Sequence, residues 1–488
     1  MKKKIFCSLI TVSLLLASCN ESEEVNKDPT IVNPYNLLTY SEFDESTFTR
    51  GLTPNTGDVN ILVVPVEFSD FRAFTNSQIN NINICFNGDE SLDNKTPYWE
   101  SVKSYYHTSS YNYLNFNFVV TDIYESPLSE DEFIEQEEKN LGVPYLLNDM
   151  YSKLTINNDK VNYKDFDSDY DGYIDGIWLI YNCNDRNEVL NKQNFWAYTS
   201  YLQSEPNLDS PTFNTYANGD YVFFNRDTRG NYYDTHTFIH ETGHMLGLDD
   251  YYSYEEYHDA SGWLQMMNSN IGDHDSFTKY SLGWINPKVI DKEEELVLKP
   301  FNESGEALII PSESYYNNAF GEYIIVEYYR PTLLNELDSQ YRYPDISGKL
   351  LYSEEGIIIY HIDARLMNVL YDESSNKYYG SFINLNDYTF KDYSDDDYIS
   401  LAANNTLSGS YDGKTPLIEI ITSTNQLTSG LTEASNLTLF KEGDSFDPLT
   451  SSDNFFDNGK FHDGSSVNFK IDINSLSEEG ANLTITSI

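Results

Sequence analysis

The chain is poor in basic residues and rich in acidic ones. It contains 30 Lys and Arg against 78 Asp and Glu, which gives a formal net charge of −48 at pH 7. An electrostatic field of that sign repels nucleic acid and anionic lipid surfaces, and it favours calcium and cationic substrates. We therefore expect no nucleic-acid partner.

Long hydrophobic runs are also lacking. At the N-terminus three lysines at positions 2–4 precede an apolar run over residues 5–17, which Ser and Thr interrupt. A membrane-spanning helix needs about 20 apolar residues, so this run is typical of a signal peptide instead. The sequence LASC at residues 16–19 resembles a bacterial lipobox. That resemblance implies removal of residues 1–18 as a lipoprotein signal peptide and acylation of Cys19.

The mature protein is then expected to be extracytoplasmic. It would be anchored to the bacterial cell envelope, at the surface or the periplasmic face, and would contact the membrane through its N-terminal lipid only. Residues 19–57 are rich in Asn, Ser, Glu and Thr and predict a tether or a short prosegment.

Cysteine is scarce, with four in the chain. Cys7 would leave with the signal peptide and Cys19 would carry lipid. Cys85 and Cys183 can therefore form one disulfide or remain as buried thiols.

The composition excludes a disordered acidic protein, because 40% of the residues are hydrophobic and 15% are aromatic. Residues 58–290 predict an α+β domain with a mixed sheet. The strands are expected at 59–68, 116–121, 177–181 and 221–224, and the helices at 98–107, 130–139 and 233–247. Residues 291–488 alternate short strands with turn-rich linkers and predict an all-β C-terminal region of one or two β-sandwich units.

The most informative stretch is residues 240–250, which read HETGHMLGLDD. Residues four apart in a helix lie on the same face, so His240 and His244 can each direct a ring nitrogen at one metal ion. Glu241 is rotated away from them and can reach a water molecule on that ion. The motif predicts a zinc site.

A third ligand is expected from the acidic pair that follows. Gly247 readily adopts the left-handed conformation that ends a helix, and a reversal there brings Asp249 or Asp250 back toward the metal. Three protein ligands leave one position open, as in a catalytic zinc site. His236, one turn earlier on the same face, is interpreted as a supporting or structural residue.

These residues resemble the zinc signature of the immune inhibitor A family of secreted bacterial metallopeptidases, which are relatives of the metzincins. The resemblance implies a metzincin-like catalytic domain in which a zinc-binding helix lies against a mixed sheet. It makes His240, His244 and Asp250 the zinc ligands and Glu241 the general base. Asp249 becomes the alternative ligand.

Metzincins also have a methionine turn beneath the metal. In residues 262–268, which read GWLQMMN, Met267 is the predicted methionine and Met266 is the alternative. Weaker matches on either side extend the resemblance over about residues 58–370.

An acidic loop precedes the zinc helix. Residues 167–175 read DSDYDGYID and place carboxylates at positions 1, 3, 5 and 9 around a glycine at position 6. Loops of this kind wrap oxygen ligands around calcium. Trp178 occupies position 12, where an EF-hand has Glu, so the loop is not an EF-hand; a solvated acidic turn is the alternative. The predicted calcium ligands are Asp167, Asp169, Asp171 and Asp175.

Together these features predict a lipid-anchored zinc endopeptidase that acts on peptide or protein substrates and binds Zn²⁺ and Ca²⁺. In the expected mechanism Glu241 takes a proton from the attacking water and returns one to the leaving amine. The alternative is a surface adhesin or glycan-binding lipoprotein on an inactive peptidase scaffold. An intact Glu241 and a complete set of ligands argue against that alternative.

Overall fold

The structure is a computed structural model. It describes residues 34–35, 37–40, 51–71, 74–88, 99–183, 195–225, 233–254, 260–343, 350–372, 377–386, 397–400, 402, 404, 415–424, 433–450 and 459–488. The predicted signal peptide, Cys19 and most of the predicted tether lie outside the described residues. All described residues fall within one unit, Ile31–Ile488.

The described residues form a mixed α/β structure with several sheets and seven α-helices. The helices are α1 (Asn76–Asn87), α2 (Val102–Ser109), α3 (Glu130–Glu137), α4 (Gly142–Met150), α5 (His236–Met245), α6 (Ser276–Ser281) and α7 (Phe301–Ser304). The strands are β1 (Gly57–Glu67), β2 (Leu114–Val120), β3 (Tyr124–Glu125), β4 (Thr155–Ile156), β5 (Asp159–Lys160), β6 (Ile177–Tyr181), β7 (Tyr198–Tyr201), β8 (Thr215–Asp220), β9 (Lys288–Val289), β10 (Glu294–Leu298), β11 (Ala307–Pro311), β12 (Glu322–Tyr329), β13 (Gly356–Asp363), β14 (Met367–Asp372), β15 (Lys377–Phe382), β16 (Asp397–Ser400), β17 (Ile418–Ile421), β18 (Ser445–Phe446), β19 (Phe469–Ser477) and β20 (Gly480–Ser487).

The N-terminal part is built on a six-stranded mixed sheet in the order β2-β1-β6-β8-β7, with β3 also paired to β1. Its pairs are parallel except for β7, which runs antiparallel to β8 at one edge. All five residues of β6 are buried, in keeping with its uninterrupted apolar sequence.

Successive residues of β1 point to opposite faces of this sheet and so divide the core. Ile61 and Val63 join the hydrophobic cluster that contains buried residues of α1, α2 and α5. Leu62 and Val64 join the cluster that contains buried residues of α3 and α4. The sheet therefore lies between two groups of helices, and α5 is fixed against one face.

The C-terminal part contains a five-stranded sheet, β17-β13-β12-β11-β9, and a four-stranded sheet, β10-β20-β19-β18. On β12, Tyr323 and Ile325 join the cluster that contains α5, whereas Ile324 and Val326 join a third cluster with residues of β19 and β20. The five-stranded sheet thus packs on the α5 side with one face and on the four-stranded sheet with the other. The hydrophobic core is therefore continuous across residue 290, the predicted boundary between the two domains.

Most of the predicted elements are present with shifted ends, but the strand predicted at 221–224 is wrong. Residues Tyr221–Asn225 form a 3₁₀ helix, and the strand lies just before it in β8. The carboxylate of Asp220 accepts the backbone N–H of Val222 at 2.6 Å, which turns the chain out of the sheet.

Cys85 and Cys183 are both buried free thiols. Among the described residues, no helix combines the length and the apolar character that crossing a membrane requires.

Candidate metal centre

Helix α5 is held in place at its start and along its buried face. Asp234 accepts the backbone N–H of His236 at 2.9 Å, so this carboxylate satisfies one of the free donors at the helix N-terminus. Phe238 stacks on Phe224 with ring centroids 3.8 Å apart. The indole N–H of Trp178 donates to Thr242 Oγ1 at 3.2 Å, which ties the helix to β6.

The chain reverses directly after α5. Gly247 has a φ of 94°, a conformation that side-chain-bearing residues avoid. Its N–H donates to the carbonyl of His244 at 2.9 Å, and the N–H of Leu248 donates to the carbonyl of Gly243 at 3.2 Å. This tight turn brings Asp250 back beside the helix.

Three of the predicted ligands converge. Asp250 Oδ1 lies 2.9 Å from His240 Nε2 and 3.2 Å from His244 Nε2. Ligand atoms bound about 2.0–2.1 Å from a tetrahedral zinc lie about 3.3 Å from one another, so these separations fit one ion. The three residues form a group that could hold a metal, whereas Asp249 and His236 are outside it. We call this group, with Glu241 beside it, the metal centre.

Hydrogen bonds orient both imidazoles for metal binding. His240 Nδ1 lies 2.8 Å from the carbonyl of Met266, and His244 Nδ1 lies 2.6 Å from the carbonyl of Leu248. A carbonyl only accepts, so each Nδ1 carries a proton and each ring turns its Nε2 toward the carboxylate of Asp250. A cation, either a proton or a metal ion, is favoured between the two Nε2 atoms and that carboxylate.

The pKa values of residues in the metal centre also indicate that a cation is favoured there. Burial lowers the pKa of His244, but the Asp250 carboxylate outweighs it and raises that pKa to about 10. Although burial alone would raise it, the two histidines hold the pKa of Asp250 well below its usual range. The site therefore stabilises positive charge next to a carboxylate that stays ionised.

Glu241 lies beside the ligands but outside the three-residue group. Its side chain is buried, and burial raises the pKa of its carboxyl group. Thr199 on β7 donates to the Glu241 carbonyl at 2.8 Å and lies 3.2 Å from Glu241 Oε2. A buried carboxyl group held next to a group of potential metal ligands is suited to proton transfer.

The predicted methionine turn lies under α5. The sulfur of Met267 is 2.5 Å from the point where a Cβ on Gly243 would sit, so the turn packs against the helix where that residue has no side chain. The carbonyl of Met267 accepts the N–H of Tyr251 at 2.7 Å. Met266 contributes its carbonyl to His240, as described above.

Aromatic residues around the centre were not predicted. Tyr254 donates a hydrogen bond to Asp250 Oδ2, the oxygen that does not face the histidines. The ring of Tyr252 is stacked near that of His240 with centroids 6.2 Å apart, and the rings of His236 and Tyr343 are tilted with centroids 4.6 Å apart. Nothing in the local sequence marks Thr199 or Tyr254, because their roles come from contacts with other elements. His258, which could have served as another ligand, lies outside the described residues.

The acidic loop also brings together three predicted ligands. Carboxylate oxygens of Asp167, Asp169 and Asp171 lie within 4.8 Å of one another. Asp175 is outside that group, but its Oδ1 accepts the N–H of Ser168 at 2.9 Å within the same loop. Its Oδ2 is buried and has no hydrogen-bond partner among the described residues.

Crowding and burial disfavour the ionised forms of these carboxyl groups. Burial, followed by the charge of Asp167, raises the pKa of Asp169 to about 6. Burial raises the pKa of Asp175 well above its ordinary value. A bound cation would remove this penalty, because carboxylates that share a positive ion no longer repel one another.

Comparison with known proteins adds no relative. A scan of the sequence against protein-family models finds no match, and a search of curated proteins finds none either.

Proposed function

We propose that this protein is a lipid-anchored, extracytoplasmic zinc endopeptidase of the immune inhibitor A type, with a metzincin-like catalytic domain. The observation that carries the proposal is the convergence of His240, His244 and Asp250, with Glu241 next to them and free of the ligand group. A purely structural metal site needs no such carboxyl group beside it.

Zinc is the metal that suits this donor set best. Two imidazole nitrogens and one carboxylate oxygen are common zinc ligands, and three of them leave a fourth position for water or substrate. The chemistry that zinc supplies when bound is Lewis-acid polarisation of a water molecule and of the scissile carbonyl.

The protein's own residues supply the proton transfers. Glu241 takes a proton from the attacking water, and its raised pKa then suits it to return a proton to the leaving amine. Thr199 Oγ1 lies 3.2 Å from Glu241 Oε2 and fixes the backbone of Glu241, and the carbonyls of Met266 and Leu248 hold the two imidazoles. Each reacting group thus has a partner that fixes its direction.

Strand β7 offers a place for an extended peptide. It lies at the end of the six-stranded sheet and pairs with β8 on one side in the described part of the chain. Besides the contact of Thr199 with Glu241, the hydroxyl of Tyr201 donates to the carbonyl of His244 at 2.9 Å. A peptide added along the edge of β7 that lies opposite β8 would place its backbone beside the metal centre.

Calcium is the second proposed ion, bound in the acidic loop. Carboxylate oxygens are the ligands that calcium prefers. The N–H of Asn207 and that of Thr212 both donate to the carbonyl of Gly172, at 2.9 and 3.1 Å, so the loop is joined to the segment before β8. Calcium there would stabilise the segments that lead into β6 and β8, the strands against which α5 packs.

The proposal is tested by measuring zinc content and peptidase activity on the same sample. The purified chain should contain zinc at the metal centre and should cleave members of a peptide library at internal bonds. A chain that holds zinc and cleaves no member of the library would contradict the peptidase assignment and favour an inactive scaffold with a binding role.

A further inference from the structure

A second group of potential metal ligands lies far from the metal centre in the sequence. It consists of Glu322 at the start of β12, His361 near the end of β13 and His462 in the segment before β19. We call these three residues the Glu-His-His cluster. One atom from each lies within 4.8 Å of the others.

We propose that the Glu-His-His cluster is a second transition-metal site that takes zinc or an ion of the same class. Glu322 Oε1 lies 2.9 Å from His361 Nε2 and 3.7 Å from His462 Nδ1. These distances bracket the separation of about 3.3 Å between ligands of a tetrahedral zinc. Two imidazoles and one carboxylate repeat the donor chemistry of the metal centre.

The backbone holds Glu322 in position for this role. Its Oε1 accepts the N–H of His462 at 2.5 Å, and its Oε2 accepts the N–H of Asp463 at 2.8 Å. The two imidazole rings are also in contact, with centroids 4.6 Å apart. These hydrogen bonds fix the segment that carries His462 to β12 without a metal.

The charge around the cluster favours a divalent cation. Glu322, Asp363 and Glu419 are buried carboxyl groups, and Glu419 lies opposite His361 in the β13–β17 register. Arg365 pairs with both oxygens of Asp363 at 2.7 Å and offsets one negative charge. Arg365 Nε also lies 3.7 Å from Glu322 Oε2, and His462 Nδ1 lies 3.1 Å from Asp363 Oδ2. A divalent ion would add to the positive charge that these two side chains share among the buried carboxyl groups.

Access is provided from one side. The side chain of His462 is 33% exposed, whereas those of Glu322 and His361 are 0% and 2% exposed. An ion can therefore reach the cluster past His462 and still be held by two buried ligands. Bound there, it would join the segment before β19 to the five-stranded sheet and stabilise the C-terminal part of the protein.

The competing explanation is a network without metal, in which protonated His462 and Arg365 neutralise the carboxylates. Zinc content distinguishes the metal site from this metal-free network. After zinc loading and dialysis, the full-length chain should hold about two zinc ions, and a His240→Ala, His244→Ala variant should hold about one. Adding His462→Gln to that variant should remove the remaining ion. His107→Gln, a change at an exposed histidine on α2, is the matched control and should remove none.

Two further measurements do not depend on how well the His462 variant folds. Zinc should raise the melting temperature of the His240→Ala, His244→Ala chain, because an ion bound only by the folded state stabilises it. Cobalt loaded into the same chain should give the intense visible absorption of a tetrahedral site. A chain that binds neither ion would overturn the proposal, as would zinc retention unchanged by His462→Gln.

These results are independent of peptidase activity. If the wild-type chain and the His240→Ala, His244→Ala chain each hold one zinc, and His462→Gln removes it from both, the second site stands and the proposed catalytic site fails. If instead the wild-type chain holds one zinc and loses it in the His240→Ala, His244→Ala variant, the metal centre stands and the second site fails.

Discussion

The metal centre and the acidic loop both gather carboxylates, but they differ in what accompanies them. In the metal centre one carboxylate faces the Nε2 atoms of two imidazoles, whose Nδ1–H groups donate to backbone carbonyls. In the acidic loop the clustered ligands are carboxylate oxygens alone. Mixed nitrogen and oxygen donors suit a borderline ion such as zinc, whereas oxygen donors alone suit a hard ion such as calcium, so the two groups differ in the ion that each could hold.

The largest effect is expected at the third ligand of the metal centre. Asp250→Ala should weaken zinc binding by more than about a hundredfold, beyond what the loss of a residue outside the ligand set costs. Asp249→Ala is the matched control, one position away, and should change affinity by less than about tenfold. Zinc affinity is measured by competition with a chelator. The reverse order of the two variants would make Asp249 the ligand.

The acidic loop should respond to calcium and the metal centre should not. At about a hundred times its Kd, calcium should stabilise the native state by about 2.7 kcal/mol, measured as a rise in melting temperature at fixed zinc. Asp169→Ala with Asp171→Ala should abolish that rise. An Asp131→Ala, Glu135→Ala chain removes the same charge from exposed positions of α3 and should keep it. If the wild type and the Asp169→Ala, Asp171→Ala chain each melt at the same temperature with and without calcium, the loop is a solvated acidic turn.

A buried carboxyl group outside both sites offers a contrast with the acidic loop. It is neutralised by a proton, whereas the carboxylates of the loop would be neutralised by a bound cation. Burial, and then the charge of Asp275, raises the pKa of Glu327 to about 8, although Lys279 opposes the shift. An unfolded Glu titrates near 4.3, so the stability that neutral Glu327 contributes is complete below about pH 4.3. It declines as the pH rises and is lost above about 8.

Glu327→Gln should therefore reduce the loss of stability between pH 5 and 8 by at least about 1 kcal/mol. The measurement is chemical denaturation at both pH values with zinc and calcium held constant. Glu138→Gln, at the exposed end of α3, is the control. Identical pH dependence in Glu327→Gln and wild type would show that Glu327 is ionised in the native state at pH 5.

The sequence predicted those parts of the site that depend on local spacing. His240, His244, Gly247 and Asp250 are brought together by one helix and one turn, and the geometry of a helix and the freedom of glycine are known in advance. The buried strand β6 was predicted for the same reason, since its five apolar residues need no distant partner to be recognised.

The remainder depends on contacts between distant segments. Thr199 reaches Glu241 from another element, and Glu322 and His462 meet across 140 positions. No periodicity in the sequence indicates such long-range contacts. The incorrect strand at 221–224 has a different cause, because the Asp220 carboxylate accepts the N–H of Val222 and turns the chain despite the apolar pattern.

The proposed role of Glu241 as the general base of a zinc peptidase is tested by Glu241→Gln. The substitution keeps the shape of the side chain and all three ligands, so zinc content and melting temperature should match the wild type. The rate of peptide cleavage should fall by about a hundredfold to ten-thousandfold, the usual contribution of general acid–base catalysis. Glu138→Gln should cleave at the wild-type rate. A zinc-loaded Glu241→Gln protein that cleaves within about tenfold of the wild-type rate would contradict the account.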